Sequence, residues 1–353
     1  MVTLYIMNKG GDQIMRSRDH LTEHNIRLTS AEIANLWGAY MGNSMSVCIF
    51  EYFMTHVEDQ EIKELVEYAL SLSKKHVSTI TDIFSHEKFP IPVGFTDEDV
   101  NLAAPRLYSD TFYLNYLHQT TKSGFSLYTI ALPNMARSDV RDFMSECIAS
   151  LTELYNKVAD VSLSKGIFIR PPYITVSHGV EFVETKGFLA GFFGHVRPLN
   201  ALEITHLFSN TQTNALGKAL IMSFSQVAKS DEIREYFNRG KVIASKHLDT
   251  FSNTLRKEDL PAPMTWDHDI MDSTVSPFSD KLMLFHVNGL NALGIHNYGA
   301  AVSGSQRHDL HAEYGRLTAE IGVYAEAGAR LMIKNKWLEQ TPLSPDRKEL
   351  TKA

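Results

Sequence analysis

Apolar residues recur at intervals of three and four along most of this chain, the period of a helix with one buried face. Ile33, Leu36, Tyr40, Asn43, Val47, Phe50 and Met54 form the first such track. It opens with "TSAE", Thr29 to Glu32, a capping-box pattern. After the polar break "VEDQE", a second track runs through Ile62, Leu65, Ala69, Leu72, His76, Ile80 and Ile83. A third helix is predicted over about 109–134, and a fourth along Val140, Met144, Cys147, Leu151, Leu154, Val158 and Val161. Strand patterning is scarce and confined to "IFIRPPYITV", 167–176.

The pattern then repeats. "LTSAEIANLW" (Leu28 to Trp37) aligns with "LNALEITHLF" (Leu199 to Phe208), and the same offset sets Asn43 on Asn214, Ile62 on Ile233 and His76 on His247. Two helix breakers, "FPIPVGFTDEDV" (Phe89 to Val100) and "LPAPMTWDHDI" (Leu260 to Ile270), superpose Pro90 and Pro92 on Pro261 and Pro263. Beyond them the offset shortens by one residue, so that Ser109 meets Ser279, Tyr128 meets Tyr298 and Asp139 meets Asp309. The spacing of the fourth helix recurs as Leu310, Tyr314, Leu317, Ile321, Tyr324, Gly328 and Leu331. The predicted organisation is an N-terminal extension (1–24), a first four-helix bundle (25–170), a connector (171–196), a second four-helix bundle (197–345) and a C-terminal tail (346–353).

The breakers have a topological meaning. A short turn at Glu58–Asp59 makes the first two helices antiparallel neighbours. Between helices 2 and 3 lie roughly 20 residues that, extended at ~3.3 Å each, can run the whole length of a bundle helix. One long crossover of this kind marks ferritin-like bundles, whereas simple up-down-up-down bundles use short loops. The expected fold class is therefore all-α: a tandem duplication of a ferritin-like four-helix bundle, with a Pro-containing crossover between helices 2 and 3.

A formal net charge of −7 over 353 residues argues against a nucleic-acid binder, which would show a basic face. The most apolar run, "GFLAGFFGHV", is half the ~20 residues that a membrane span needs. The start "MVTLYIMNKGGDQIMR" has no cationic stretch ahead of its apolar residues and does not read as a signal peptide. Cys48 and Cys147 fall on apolar helix faces and read as buried free thiols of a reducing compartment. These features predict a soluble, cytoplasmic protein with neither a nucleic-acid partner nor a membrane span.

A di-metal carboxylate site in such a bundle wants a Glu on each of two helices and a Glu-x-x-His pair on each of the others. The residues three before His76 and His247 are Ser73 and Ala244, so that motif is absent. Asn43 and His76 lie at one level of the first bundle, and a buried hydrogen bond between them would satisfy both; Asn214 and His247 repeat the relation. In the second bundle the crossover topology also brings His296 and Glu320 near that level. His247, His296 and Glu320, with Asn214 as neighbour, would then be a donor set suited to zinc, iron or manganese. Ser126 and Ser150 occupy the corresponding places in the first bundle and cannot make such a site. His308 and His311 read as a solvated helix start, and His268 as part of a turn. No phosphate loop, nucleophile elbow or Cys-x-x-Cys is present in the sequence, so no catalytic or cofactor-binding residue is assigned.

"LTSAEIANLW", "EDQEIKELV", "FPIPVGFTDEDVNLAAPRLYSDTFYL", "GHVRPLNALEITHLF", "STVSPFSDKLMLFH" and "NKWLEQTP" together resemble a family of endospore-forming bacteria. That family is catalogued as a domain of unknown function and loosely named after the spore coat for its likeness to coat protein F. The resemblance runs from about Leu28 to Lys348. It implies two ferritin-like bundles in tandem and a spore association, and it brings no established activity. The connector, with Phe182, Phe188, Leu189, Phe192 and Phe193 amid glycines, reads first as a hydrophobic strap joining the bundles. Its other reading is an exposed patch for self-association or for coat-protein partners.

Overall fold

The computed structural model describes residues 26–176, 179–193 and 195–351; the expected N-terminal extension (1–24) lies outside them. Among the described residues, eight long helices make up two repeats. The first holds α1 (Ser30–His56), α2 (Gln60–His86), α3 (Asp110–Ala131) and α4 (Ser138–Ser164). The second holds α5 (Ala201–Val227), α6 (Asp231–Arg256), α7 (Asp280–Gly304) and α8 (His308–Lys334). No β-strand occurs among the described residues, and 167–176, which had strand character in the sequence, is irregular chain.

The caps explain where the helices begin. Thr29 and Glu32 close the capping box that the sequence announced, and Asn200 with Glu203 closes another at α5. Both glutamates do more than cap. Glu32 is fully buried, and its Oε1 accepts from the backbone N–H groups of Ala136 and Arg137 at 2.9 and 2.8 Å. This pins the start of α1 to the α3–α4 turn. Glu203 holds Gln306 and Arg307 in the same way and also pairs with Arg197. Burial alone would raise the Glu203 pKa, but the Arg197 guanidinium and the backbone donors hold it down to about 2.

Helix direction follows from a third anchor. Asp110, at the start of α3, accepts from the backbone N–H of Asp59 at 2.7 Å, so α3 begins beside the α1–α2 turn. Asp280 of α7 does the same with Ser230, at 2.9 Å. Each crossover, residues 87–109 and 257–279, has therefore returned the full length of its bundle, and the third helix runs parallel to the second. The order is up-down-down-up, a four-helix bundle with one long crossover in each repeat.

The two crossovers meet each other. Val100 bridges Phe278 and Tyr108 bridges Ile270, both antiparallel. Ser109 caps α3 while its hydroxyl donates to Asp269 of the other repeat at 2.5 Å; Ser279 caps α7 and donates to Asp99 at 2.6 Å. Every one of these contacts has its mate under the repeat alignment, so the halves face each other about an approximate twofold axis. Their largest buried apolar cluster draws on both repeats, from Phe50, Tyr52 and Phe53 to Phe224, Phe237 and Phe278, and a smaller cluster lies within each repeat.

This shared core rotates α1 relative to the sequence expectation. Ile33, Tyr40, Asn43, Val47 and Met54 of the predicted track are only half-buried. Leu36 and Phe50 of that track are buried as expected, and Ala39, Cys48, Ile49, Tyr52 and Phe53 beside it are buried as well. The helix packs on two sides, against its own bundle and against the other repeat. On α2 and α4, by contrast, the predicted tracks are buried nearly throughout.

Candidate functional site

Among the described residues, several places in the interior bring polar chemistry into apolar packing. In the first repeat, His76 of α2 donates from Nδ1 to Asn43 Oδ1 of α1 at 3.1 Å, and Asn43 donates to the Tyr128 hydroxyl of α3 at 3.0 Å. The Cys147 sulfur of α4 lies 3.5 Å from His76 Nε2. Burial pulls the His76 pKa down to about 4 and pushes the Cys147 thiol up to about 12. A neutral imidazole beside a protonated thiol is a satisfied core cluster and no activated nucleophile.

The second repeat departs from this arrangement. Tyr298 stands between Asn214 and His247, bonded to Asn214 Nδ2 at 2.9 Å and to His247 Nδ1 at 3.0 Å. The direct Asn–His bond expected twice thus forms only in the first repeat, because a tyrosine hydroxyl bridges the gap in the second. His247 Nε2 meets Glu320 Oε2 at 3.2 Å, and Lys246 Nζ sits 2.9 Å from the other carboxylate oxygen. Burial lowers the His247 pKa, partly offset by its bond to Glu320. Of the three candidate ligands the structure brings together His247 and Glu320. His296 is exposed on α7 and borders a different cavity. Among the described residues no group of three or more His, Cys, Asp or Glu side chains could hold a metal ion. Only about 60 Å³ of open space adjoins His247.

The larger feature lies between the repeats. A cavity of about 560 Å³ runs among α1, α2, α3, α4, α5 and α7. Its walls include Phe50, Leu154, Leu216 and Leu220, and the Asn43–His76–Tyr128 cluster closes one side. No Asp, Glu, Lys or Arg lines it. His286 of α7 contributes from the second repeat. It is buried, its Nε2 lies 3.3 Å from the Tyr116 hydroxyl of α3, and its Nδ1 has no hydrogen-bond partner. Burial brings its pKa down to about 4. The repeat alignment sets Tyr116 on His286, so the two meet at the approximate twofold axis.

The asymmetry of the interior has a residue-level cause. Leu65 and Leu154 of the first repeat correspond to Tyr236 and Tyr324 of the second, whose rings stack with centroids 4.3 Å apart. The tyrosine pair takes up space in the second bundle, whereas in the first the smaller Leu154 lines the cavity. Gly240 is glycine for that reason, since a Cβ there would lie 2.0 Å from the Tyr324 hydroxyl. Sequence reading weighed His286 only as facing His247 in the opposite topology and missed the cavity, although the substitution of two tyrosines for two leucines between the repeats was a usable signal.

The connector is not the strap that its composition suggested. Phe182 and Phe193 are 87% and 90% exposed, and Phe192 is exposed as well. Phe188 is an exception, with the Arg197 guanidinium 4.0 Å over its ring. A strap needs an apolar surface under it, and the shared core has already covered the inner helices. Elsewhere His311 bonds the Ser305 carbonyl at 2.7 Å at the start of α8, and His268 is 64% exposed in its crossover. Neither joins a site. No described helix is long and apolar enough to cross a membrane.

A family model described as "Protein of unknown function (DUF3231)" matches residues 17–180 and again residues 187–350. A crystal structure described as a "putative spore coat protein" from Bacillus halodurans C-125 is similar over 43% of this chain and 98% of its own, at 16% identity and a TM-score of 0.39. No curated protein matches the chain.

Proposed function

The chain belongs to that family of unknown function and carries its domain twice, and from this premise we infer that it is a non-enzymatic structural protein that acts by association, its partner being a further copy of itself. The observation that supports the reading is the connector. Tyr173, Val176, Val180, Phe182 and Phe193 each leave 85–94% of their surface in solvent within one short segment. Clusters of exposed apolar residues on such a scale mark interaction surfaces. The interior supports the reading from the other side: its histidines are neutral, its thiols protonated and its carboxylates engaged as anchors. The name of the Bacillus halodurans protein suggests a spore setting for such an assembly. Sedimentation from about 1 to about 100 µM tests the reading, since self-association makes the apparent mass concentration-dependent. The wild type is expected to grow in mass, and Phe182→Ser with Phe192→Ser and Phe193→Ser to remain monomeric with unchanged helicity. A wild type that stays monomeric throughout removes the reading.

A second reading, a metal-binding protein with one site in the C-terminal bundle, is supported by the His247–Glu320 contact. Zinc, iron or manganese at that pair would have to displace Lys246 from the carboxylate and recruit His296 from the surface. Elemental analysis of protein prepared without chelators or an affinity tag decides it. Near-stoichiometric metal lost in His247→Ala would establish the site, and metal content unaffected by that change would end it.

A further inference from the structure

We propose that the cavity between the repeats is a binding site for an uncharged, elongated amphiphile: a hydrocarbon body with one neutral hydrogen-bonding head, such as a long-chain alcohol. Three independent observations lead there. The first is size and lining. About 560 Å³ falls within the range of small-molecule sites, and an unfilled apolar hole of that size weakens a fold. The absence of any Asp, Glu, Lys or Arg from the walls disfavours a charged ligand, which would be stripped of water with no counter-charge. Leu127 and Ile130 are exposed among its lining residues, as is His296, so its rim carries no charged carboxylate, lysine or arginine either.

The second observation is the glycines. Gly42 of α1, Gly217 of α5 and Gly289 of α7 all border the cavity from helix interiors, where glycine is a poor helix former. A Cβ at any of them would meet nothing within 4 Å. Close packing therefore does not require glycine at these positions. At the half-buried Gly42 and Gly217 the missing side chains keep the space open, whereas Gly289 is exposed at its edge. Gly124, which also lines it, is different, since a Cβ there would press on Leu151.

The third observation is His286. His286 lines the cavity, whose wall carries polar but no charged side chains, and its Nδ1 is a buried polar atom without a partner. The polar groups on the far side, Asn43, His76 and Tyr128, already satisfy one another. If the Tyr116 hydroxyl donates to Nε2, then Nδ1 carries the proton and donates; if Nε2 donates to Tyr116, then Nδ1 accepts. A ligand hydroxyl can answer either form, because it both donates and accepts.

The probes are dodecan-1-ol, dodecane and dodecyltrimethylammonium below its micellar concentration, read by native mass spectrometry and thermal shift. The wild type is expected to bind dodecan-1-ol and to melt at a higher temperature in its presence, with dodecyltrimethylammonium bound much more weakly. In His286→Leu, dodecan-1-ol should bind about fivefold to tenfold more weakly while dodecane is unaffected. Gly42→Leu with Gly217→Leu should abolish uptake of both by filling the space. If that pair does not fold, Gly42→Ala with Gly217→Ala serves instead, with weaker binding and an equal or higher melting temperature. Absence of binding to the wild type overturns the proposal, as does undiminished binding to a folded glycine variant, which would place the probe on the exposed connector. Equal binding of the cationic probe overturns the assignment of an uncharged ligand.

Discussion

Phe278→Ala is expected to cost about 3–5 kcal/mol, the range for emptying a buried phenylalanine site, and to weaken both repeats together. Phe278 is 3% exposed at the end of the second crossover. Its ring lies edge-on to Tyr52 of the first repeat at 5.4 Å and to Phe224 of the second at 6.3 Å. Its backbone bridges Val100. Urea unfolding followed separately by aromatic and by helical signals should show one coincident transition in the wild type, shifted to a lower midpoint in the variant with the slope unchanged. Tyr108→Ala, the mate of Phe278 under the repeat alignment, should give the same result, with the loss of its 2.9 Å hydrogen bond to Ser223 in addition. Two transitions, only one of them displaced, would mean that each bundle stands alone.

Acid should unfold the protein earlier than its carboxylates require. His76, His118 and His286 each have a pKa lowered by burial to about 4 from the ordinary 6.5. The unfolded chain takes up these protons near pH 6.5, and the folded chain cannot until about pH 4. Stability is therefore full above pH 6.5, falls as the pH drops through the interval and levels off below about 4. At 1.36 kcal/mol per pH unit the loss is on the order of 3 kcal/mol for each fully buried histidine. Glu146 opposes the effect at His76 and Lys75 adds to it, while Lys122 adds to it at His118. The urea midpoint measured from pH 7 to pH 4 should fall steadily, and His286→Leu should flatten the curve. A midpoint constant down to pH 5 would contradict the neutral-interior account.

Much of the architecture was legible because its determinants are local. The capping box at Thr29 and Glu32, the turn at Glu58–Asp59 and the doubled prolines are each read within a few residues. The crossover topology followed from chain length and helix rise alone. Periodicity succeeded for α2 and α4, which bury one face. It misplaced the buried face of α1 because that helix buries two, and a helix apolar nearly all round carries little directional signal. The same limit hid the site. Level along a helix set His296 beside His247, but azimuth decides whether side chains meet, and on α7 that azimuth is set by packing against the other repeat. Composition overestimated the connector for a related reason: aromatic residues predict burial only when a surface remains for them to cover.

The crossed crossovers bear on how such a chain can change. Two separate identical subunits meeting about an axis must present the same side chain from each side, so any substitution arrives in duplicate. Covalent fusion lifts that restriction. At the centre of this molecule a tyrosine, Tyr116, faces a histidine, His286, and a pair of leucines on one side answers a pair of tyrosines on the other. The two halves have come to differ on either side of the axis, an asymmetry that a homodimer cannot reach by any single mutation.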